Sequence, residues 1–194
     1  MQMLLSQEEY ERKAKSYKML LVFGMISIVM LFAGFTSAYV VSKSRPDWLK
    51  DFELPMAFWL STAAILASSF TFHMALKSIK AGKNKETGIF LWITLALGLA
   101  FVYLQFQGFG QVIEMGHFFT GKNSNVTTSF LYIVVIVHVF HLVGGIISLL
   151  TVIYNHYKQK YNASQFLGIE LSAYYWHFMD FIWIYLFFFF SFFK

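Results

Sequence analysis

Five stretches of this chain run for about twenty residues or more with almost no charge, and charged residues gather between them. They extend from about 19 to 41, 55 to 76, 88 to 112, 128 to 154 and 171 to 193. Lys18 and Lys43 bound the first, Glu53 and Lys77 the second, Glu86 and Glu114 the third, and only the fifth holds a formal charge, Asp180. A hydrocarbon layer about 30 Å thick takes roughly 20 residues of helix to cross. Backbone groups in lipid must bond within their own segment, and these runs are too long for barrel strands of about 10 residues, so each is predicted to be a helix. The predicted fold is all-α: an integral membrane bundle of five transmembrane helices, forming a single membrane domain over residues 1–194.

Composition agrees, since 58% of the residues are hydrophobic and 13% charged, against about a quarter charged in soluble domains. The net charge of +5 acquires meaning from its placement. Ten Lys and Arg fall in the N-terminal arm, the Lys77–Lys85 connection and the Tyr157–Tyr161 loop, and five fall at Lys43–Lys50, Lys122 and Lys194. Positive charge is retained in the cytoplasm, so the N-terminus is expected inside and the C-terminus outside, in the inner membrane of a bacterium. The excess is a topology signal and implies no nucleic-acid partner. The first eighteen residues have no apolar core, so no cleaved signal peptide is expected. No Cys is present, which rules out disulfides, zinc thiolates and iron–sulfur sites. Pro46 and Pro55 bracket an outer loop carrying Arg45, Asp47, Trp48, Lys50, Asp51 and Glu53. Loops this short leave no room for a ligand-binding domain outside the membrane.

Chemistry must then reside in the few ionisable residues within the spans, where each is costly. His138 and His141 lie at i, i+3 on one face of the fourth span, continued by Gly145 and Ser148. On the fifth, Trp176, His177, Asp180 and Trp183 fall at helical spacing and form a second polar and aromatic face. His141 and Asp180 lie at similar depths, and Asp180 is expected to pair with a His or Trp donor from a neighbouring helix or subunit. Embedded histidines serve most often as interhelical hydrogen-bond groups, and these six residues are read as a structural network and subunit contact, with no catalytic and no metal-ligating residue assigned. Two other chemistries use the same residue types: a b-type haem held between histidines, making the chain a membrane electron carrier, and a proton or ion path, for which His73, Gln105, Gln107 and Gln111 give an incomplete relay. Ala64/Ser68, Ala67/Thr71/Ala75 and Thr94/Gly98/Gln105/Gly108 make small-residue packing faces. The Phe187–Phe190 run is expected to face acyl chains. Asn125-Val-Thr and Asn162-Ala-Ser match glycosylation acceptors only weakly. Lys43, Arg45 and Trp48 outside, and Lys77, Lys80 and Lys158 inside, are candidate contacts for phospholipid headgroups.

The segment Tyr175-Trp-His-Phe-Met-Asp-Phe-Ile-Trp183 resembles the Tyr-Trp-His-Phe-Val-Asp-x-x-Trp signature on the last helix of subunit III of haem–copper cytochrome oxidases. His138-Val-Phe-His141-Leu-Val-Gly-Gly145 is similar to that family's His-x-x-His helix. Thr62-Ala-Ala-Ile-Leu-Ala-Ser-Ser69, followed by Thr71, resembles its Thr-x-x-Leu-x-Ser-Ser-x-Thr helix, and Leu97-Gly98 through Gln105 the helix after it. The resemblance runs in order from about Leu20 to the C-terminus. It implies a short, five-helix form without the leading helix pair of longer members. Ser27 and Ile28 stand where a buried carboxylate is common, and Gly108-Phe109 where an acid often follows the third helix's Gln. It further implies a non-catalytic subunit that packs beside catalytic subunit I and other oxidase subunits, stabilises the oxygen-reducing, proton-pumping centre, and supports proton uptake. Haem and copper would reside in those partner subunits and none in this chain. Phospholipid is a candidate ligand, and a respiratory supercomplex a candidate larger assembly.

Overall fold

The computed structural model describes residues 7–46, 48–49, 54–121 and 125–193. Five long helices, α1 (Gln7–Val41), α2 (Met56–Lys80), α3 (Asn84–Glu114), α4 (Val126–Tyr157) and α5 (Leu167–Phe192), follow one another, with a short 3-10 turn over Ser42–Ser44. All five are long and apolar enough to cross a membrane. Among the residues counted for orientation, Lys50, Lys122 and Lys194 lie outside the described residues, as do Asp47, Asp51 and Glu53 of the outer loop.

Helix α1 begins well before the uncharged stretch. Its first turns, Gln-Glu-Glu-Tyr-Glu-Arg-Lys-Ala-Lys, are built of good helix formers, and charge ends a membrane span without ending a helix. Sharp stops come instead from left-handed residues. Past α2, Gly82 (φ 73°) donates to the Ile79 carbonyl at 3.0 Å and Lys83 to that of Ser78 at 2.9 Å, the Schellman closure. Gly116 (φ 82°) closes α3 in the same way through Ile113 and Val112. Gln159 (φ 52°) closes α4 through His156 and Asn155, here without the freedom of a glycine.

Packing is uneven. Helices α2 and α3 form the most extensive pair, α5 lies against α2, α4 and α1, and α3 against α4. Helices α2 to α5 thus enclose the core, and α1 leans on α4 and α5 from outside. Phe32, Thr36 and Tyr39 are the buried positions of α1, while Leu20, Phe23, Met30 and other apolar residues are exposed. Such exposure suits a lipid or protein neighbour and would be unfavourable in water. Small residues set the closest approaches: a side chain on Gly98 would meet the Trp176 ring, and one on Gly108 the Phe58 ring. At the end holding the α2–α3 and α4–α5 connections, the start of α1 reaches across to α5. Tyr10 Oη accepts hydrogen bonds from the Phe166 and Leu167 amides at 3.2 and 3.1 Å, satisfying donors that every helix start leaves open. Lys18 pairs with Glu170 at 2.8 Å.

Phe187 and Phe190 are buried, and Phe188 is exposed. The aromatic run therefore does not face acyl chains as a block: an α-helix turns successive residues by about 100°, so a run of four wraps around it. Both glycosylation-like asparagines serve the backbone. Asn125 Oδ1 accepts from the Thr128 amide at 2.9 Å and caps α4. Asn162 Oδ1 accepts from the amides of Ser164 and Gln165 at 3.0 and 2.7 Å, an Asx turn.

Candidate functional site at the seam of helices two and five

The polar face of α5 is read out by hydroxyls on α2. Trp176 Nε1 donates to Ser68 Oγ at 3.0 Å, and Trp183 Nε1 donates to Thr62 Oγ1 at 2.9 Å. His177 Nδ1 lies 2.6 Å from Ser69 Oγ. The same helix uses its other edge on α3, where Gln105 Nε2 donates to Ser61 Oγ at 3.0 Å and the Thr71 and Thr94 hydroxyls are 2.8 Å apart. Two tryptophans at i and i+7 on α5 thus meet hydroxyls at i and i−6 on α2, as antiparallel neighbours must. Around them the rings interlock: Trp183 stacks on Phe58 with centroids 6.1 Å apart and meets Phe101 edge-on at 5.1 Å.

Helix α4 joins through different contacts. His138 is fully buried, with ring centroids 5.3 Å from Trp183, 6.0 Å from Phe101 and 6.1 Å from Phe32 of α1. Neither ring nitrogen has a hydrogen-bond partner among the described residues. His141, also against Phe32 at 5.9 Å, turns Nδ1 back to the Val137 carbonyl at 2.7 Å. Tyr175 Oη donates to the His141 carbonyl at 3.0 Å, and Ser148 Oγ to Ser172 Oγ at 3.0 Å.

Asp180 departs from its expected pairing within the chain. Its side chain is buried at 3% exposure, as a carboxyl among apolar spans should be, yet neither oxygen has a hydrogen-bond partner among the described residues. The tryptophan donors that could have met it are committed to α2, and His141 is committed to its own helix. The carboxyl faces the Ser69 hydroxyl, the group that also holds His177.

The candidate lipid contacts are scattered. Lys43 lies over the Phe193 ring at 5.0 Å, Lys80 over Phe166 at 5.4 Å and Lys158 over Tyr154 at 4.7 Å. Arg45 and Lys77 are exposed. Trp48 is buried edge-on against Tyr39 at 4.6 Å, so its ring faces protein. Sequence reasoning missed the Tyr10 cap and the bond from His156 Nε2 to the Asn84 carbonyl at 3.0 Å. Neither residue sits in a pattern that marks it, because partners 72 or 156 positions away leave no local periodicity. Among the described residues no group of three or more His, Asp and Glu converges as a metal site.

A family model described as cytochrome c oxidase subunit III matches residues 8–194. Cytochrome c oxidase subunit 3 of Petromyzon marinus is 31% identical over 176 residues, covering 84% of this chain and 64% of the relative. That of Thermostichus vulcanus is 31% identical over 172 residues, with 87% and 82% covered. That of Bacillus sp. (strain PS3) is 29% identical over 162 residues, with 81% and 76% covered. The chain therefore spans just under two thirds of the first relative's length and most of the other two.

Proposed function

Since the chain belongs to the cytochrome c oxidase subunit III family, we infer that this multi-pass membrane protein is the non-catalytic third subunit of a respiratory haem–copper terminal oxidase. It packs against catalytic subunit I, which holds the haems and copper, and stabilises that subunit during oxygen reduction and proton pumping. The observation that carries the reading is the family match over nearly the whole bundle. The geometry is consistent with it: Trp176, His177 and Trp183 spend their polar atoms on α2, a use that builds a scaffold.

Two finer roles follow from this reading. Phospholipid is held where α1 leans over the start of α5. A groove of about 740 Å³ there is lined by Lys15, Lys18, Tyr10, Met19, Phe23 and Phe166, among others. It offers the Lys15 ammonium for a phosphate, beside Lys18 held by Glu170, above an apolar wall for acyl chains. Proton uptake is supported from the same side of the membrane, the cytoplasmic side by the distribution of Lys and Arg. The membrane is the inner membrane of a bacterium, and other oxidase subunits or a supercomplex cover the exposed apolar face of α1.

Gentle extraction of the tagged chain from native membrane tests this reading. A haem–copper subunit and oxygen consumption should co-purify, and the chain separated from that complex should be colourless. Purification alone with a haem spectrum that is lost on replacing His138 or His141 would overturn it in favour of an electron carrier.

A further inference from the structure

The α2/α5 seam contains one acid that none of its scaffold contacts explains. Asp180 is 3% exposed, and both its oxygens lack a partner among the described residues. An ionised carboxylate buried there costs far more than a protonated one, because no cation among the described residues pairs with it. Among the described residues, a polar way out for its proton runs along the seam. The carboxyl faces Ser69, Ser69 Oγ lies 2.6 Å from His177 Nδ1, and the His177 ring lies 6.4 Å, centroid to centroid, from that of His73. His73 is exposed on the side of α2, seven residues before Lys80 and so about 10 Å of helix rise from that end of the bundle. Buried acid, shared hydroxyl, half-buried imidazole and exposed imidazole thus run in order from the interior to the lateral surface.

We propose that α2 and α5 hold a proton-exchange string in which the protonated Asp180 carboxyl trades its proton with the bundle's lateral surface through Ser69, His177 and His73. A hydroxyl and an imidazole can each accept on one side while donating on the other. When the Asp180 carboxyl turns into hydrogen-bond reach of Ser69 Oγ, it gives its proton there as Ser69 gives its own to His177 Nδ1. His177 then releases the proton on Nε2, and one bridging water spans the gap to His73. The net change is one proton moved outward and one carboxylate left behind, and the reverse sequence restores the acid. The titratable groups at this seam are His73 from α2 and His177 from α5. On α4, His138 and His141 turn to Phe32 of α1, and Lys77 lies one turn beyond His73. The string goes beyond the accessory role and does not require it.

The full-length chain in lipid nanodiscs, followed by infrared spectroscopy after transfer to heavy water, tests the proposal without any oxidase partner. Near neutral pH a protonated carboxyl stretch should be present, vanish in Asp180→Asn, and shift to its deuterated position within minutes. Ser69→Ala and His177→Phe should retain the band and slow its shift about a hundredfold, the scale of losing a positioned proton-transfer group. His73→Phe lies on the surface, where folding is not at stake, and should slow the shift by a smaller factor. A band missing in the parent chain, one that never exchanges, or one whose rate Ser69→Ala, His177→Phe and His73→Phe all leave unchanged would overturn the string. Co-purification with an oxidase is a separate readout, so failure of one reading leaves the other intact.

Discussion

The indole of Trp176 reaches across the bundle to donate to Ser68 at 3.0 Å, while its far edge occupies the space beside Gly98 of α3. One side chain therefore ties three helices together, by a hydrogen bond on α2 and by close contact on α3. A Cβ on Gly98 would lie 2.7 Å from the Trp176 ring, and a ring locked by its own hydrogen bond has little freedom to yield. Gly98→Ala is expected to lower stability by about 1–3 kcal/mol through overpacking. Trp176→Phe relieves the crowding and removes the indole's bond to Ser68, whose hydroxyl keeps its donation to the Ile65 carbonyl at 2.8 Å, so the lost hydrogen bond should cost about 0.5–1.5 kcal/mol. Thermal unfolding in mild detergent reads both. The double variant should cost less than the sum of the two, because the two sites share one space.

Removing a single oxygen at Tyr10 should loosen the start of α5. Tyr10→Phe retains the ring and deletes the acceptor that serves the Phe166 and Leu167 amides. The expected loss is about 1 kcal/mol, comparable to deleting a helix cap. Amide hydrogen exchange at Phe166 and Leu167 should rise while exchange in the middle of α5 stays constant. Unchanged exchange there would show that the arm of α1 does not dock on this loop in solution.

The ends of α4 offer a stabilising and a destabilising change. Gln159 adopts φ 52°, a conformation that costs a side-chain-bearing residue roughly 1–2 kcal/mol. Gln159→Gly should raise the melting temperature as far as added unfolded-state freedom permits. At the other end, Asn125→Ala removes the cap on the Thr128 amide and should cost about 1 kcal/mol. Asn125→Asp, which retains the acceptor, should restore most of that loss.

Five spans were legible in the sequence because lipid imposes an apolar length that few other constraints imitate. The limits of the helices were less so: α1 starts at Gln7 and α3 ends at Glu114, in charged residues that mark the membrane surface and leave the helix intact. At the seam, the spacing of Trp176, His177, Asp180 and Trp183 correctly grouped four residues on neighbouring turns of one helix. Their partners were not legible, since Thr62, Ser68 and Ser69 read equally well as small residues that permit close packing. For Asp180, the cost of an unpaired carboxylate makes a His or Trp donor from a neighbouring helix or subunit the expected partner. Hydroxyls on α2 took those tryptophan donors first, and the acid was left facing Ser69.

His138 allows the scaffold reading of the histidines to be tested on one residue. Both its nitrogens are buried without a hydrogen-bond partner among the described residues, inside walls supplied by Phe32, Phe101 and Trp183. A buried polar group that makes no hydrogen bond costs about 1–3 kcal/mol, and replacing it with an apolar group of similar size recovers that cost. His138→Leu in the isolated chain should therefore match or exceed the parent's melting temperature. Ser69→Ala, which breaks the 2.6 Å bond to His177, should fall below it. The comparison changes meaning in the native complex. If His138→Leu leaves the isolated chain stable but weakens its retention in the purified assembly, the buried imidazole acts on the assembly through the packing of Phe32 on α1, since it has no exposed surface of its own. If it is neutral in both settings, the aromatic walls alone account for the residue's place in the fold.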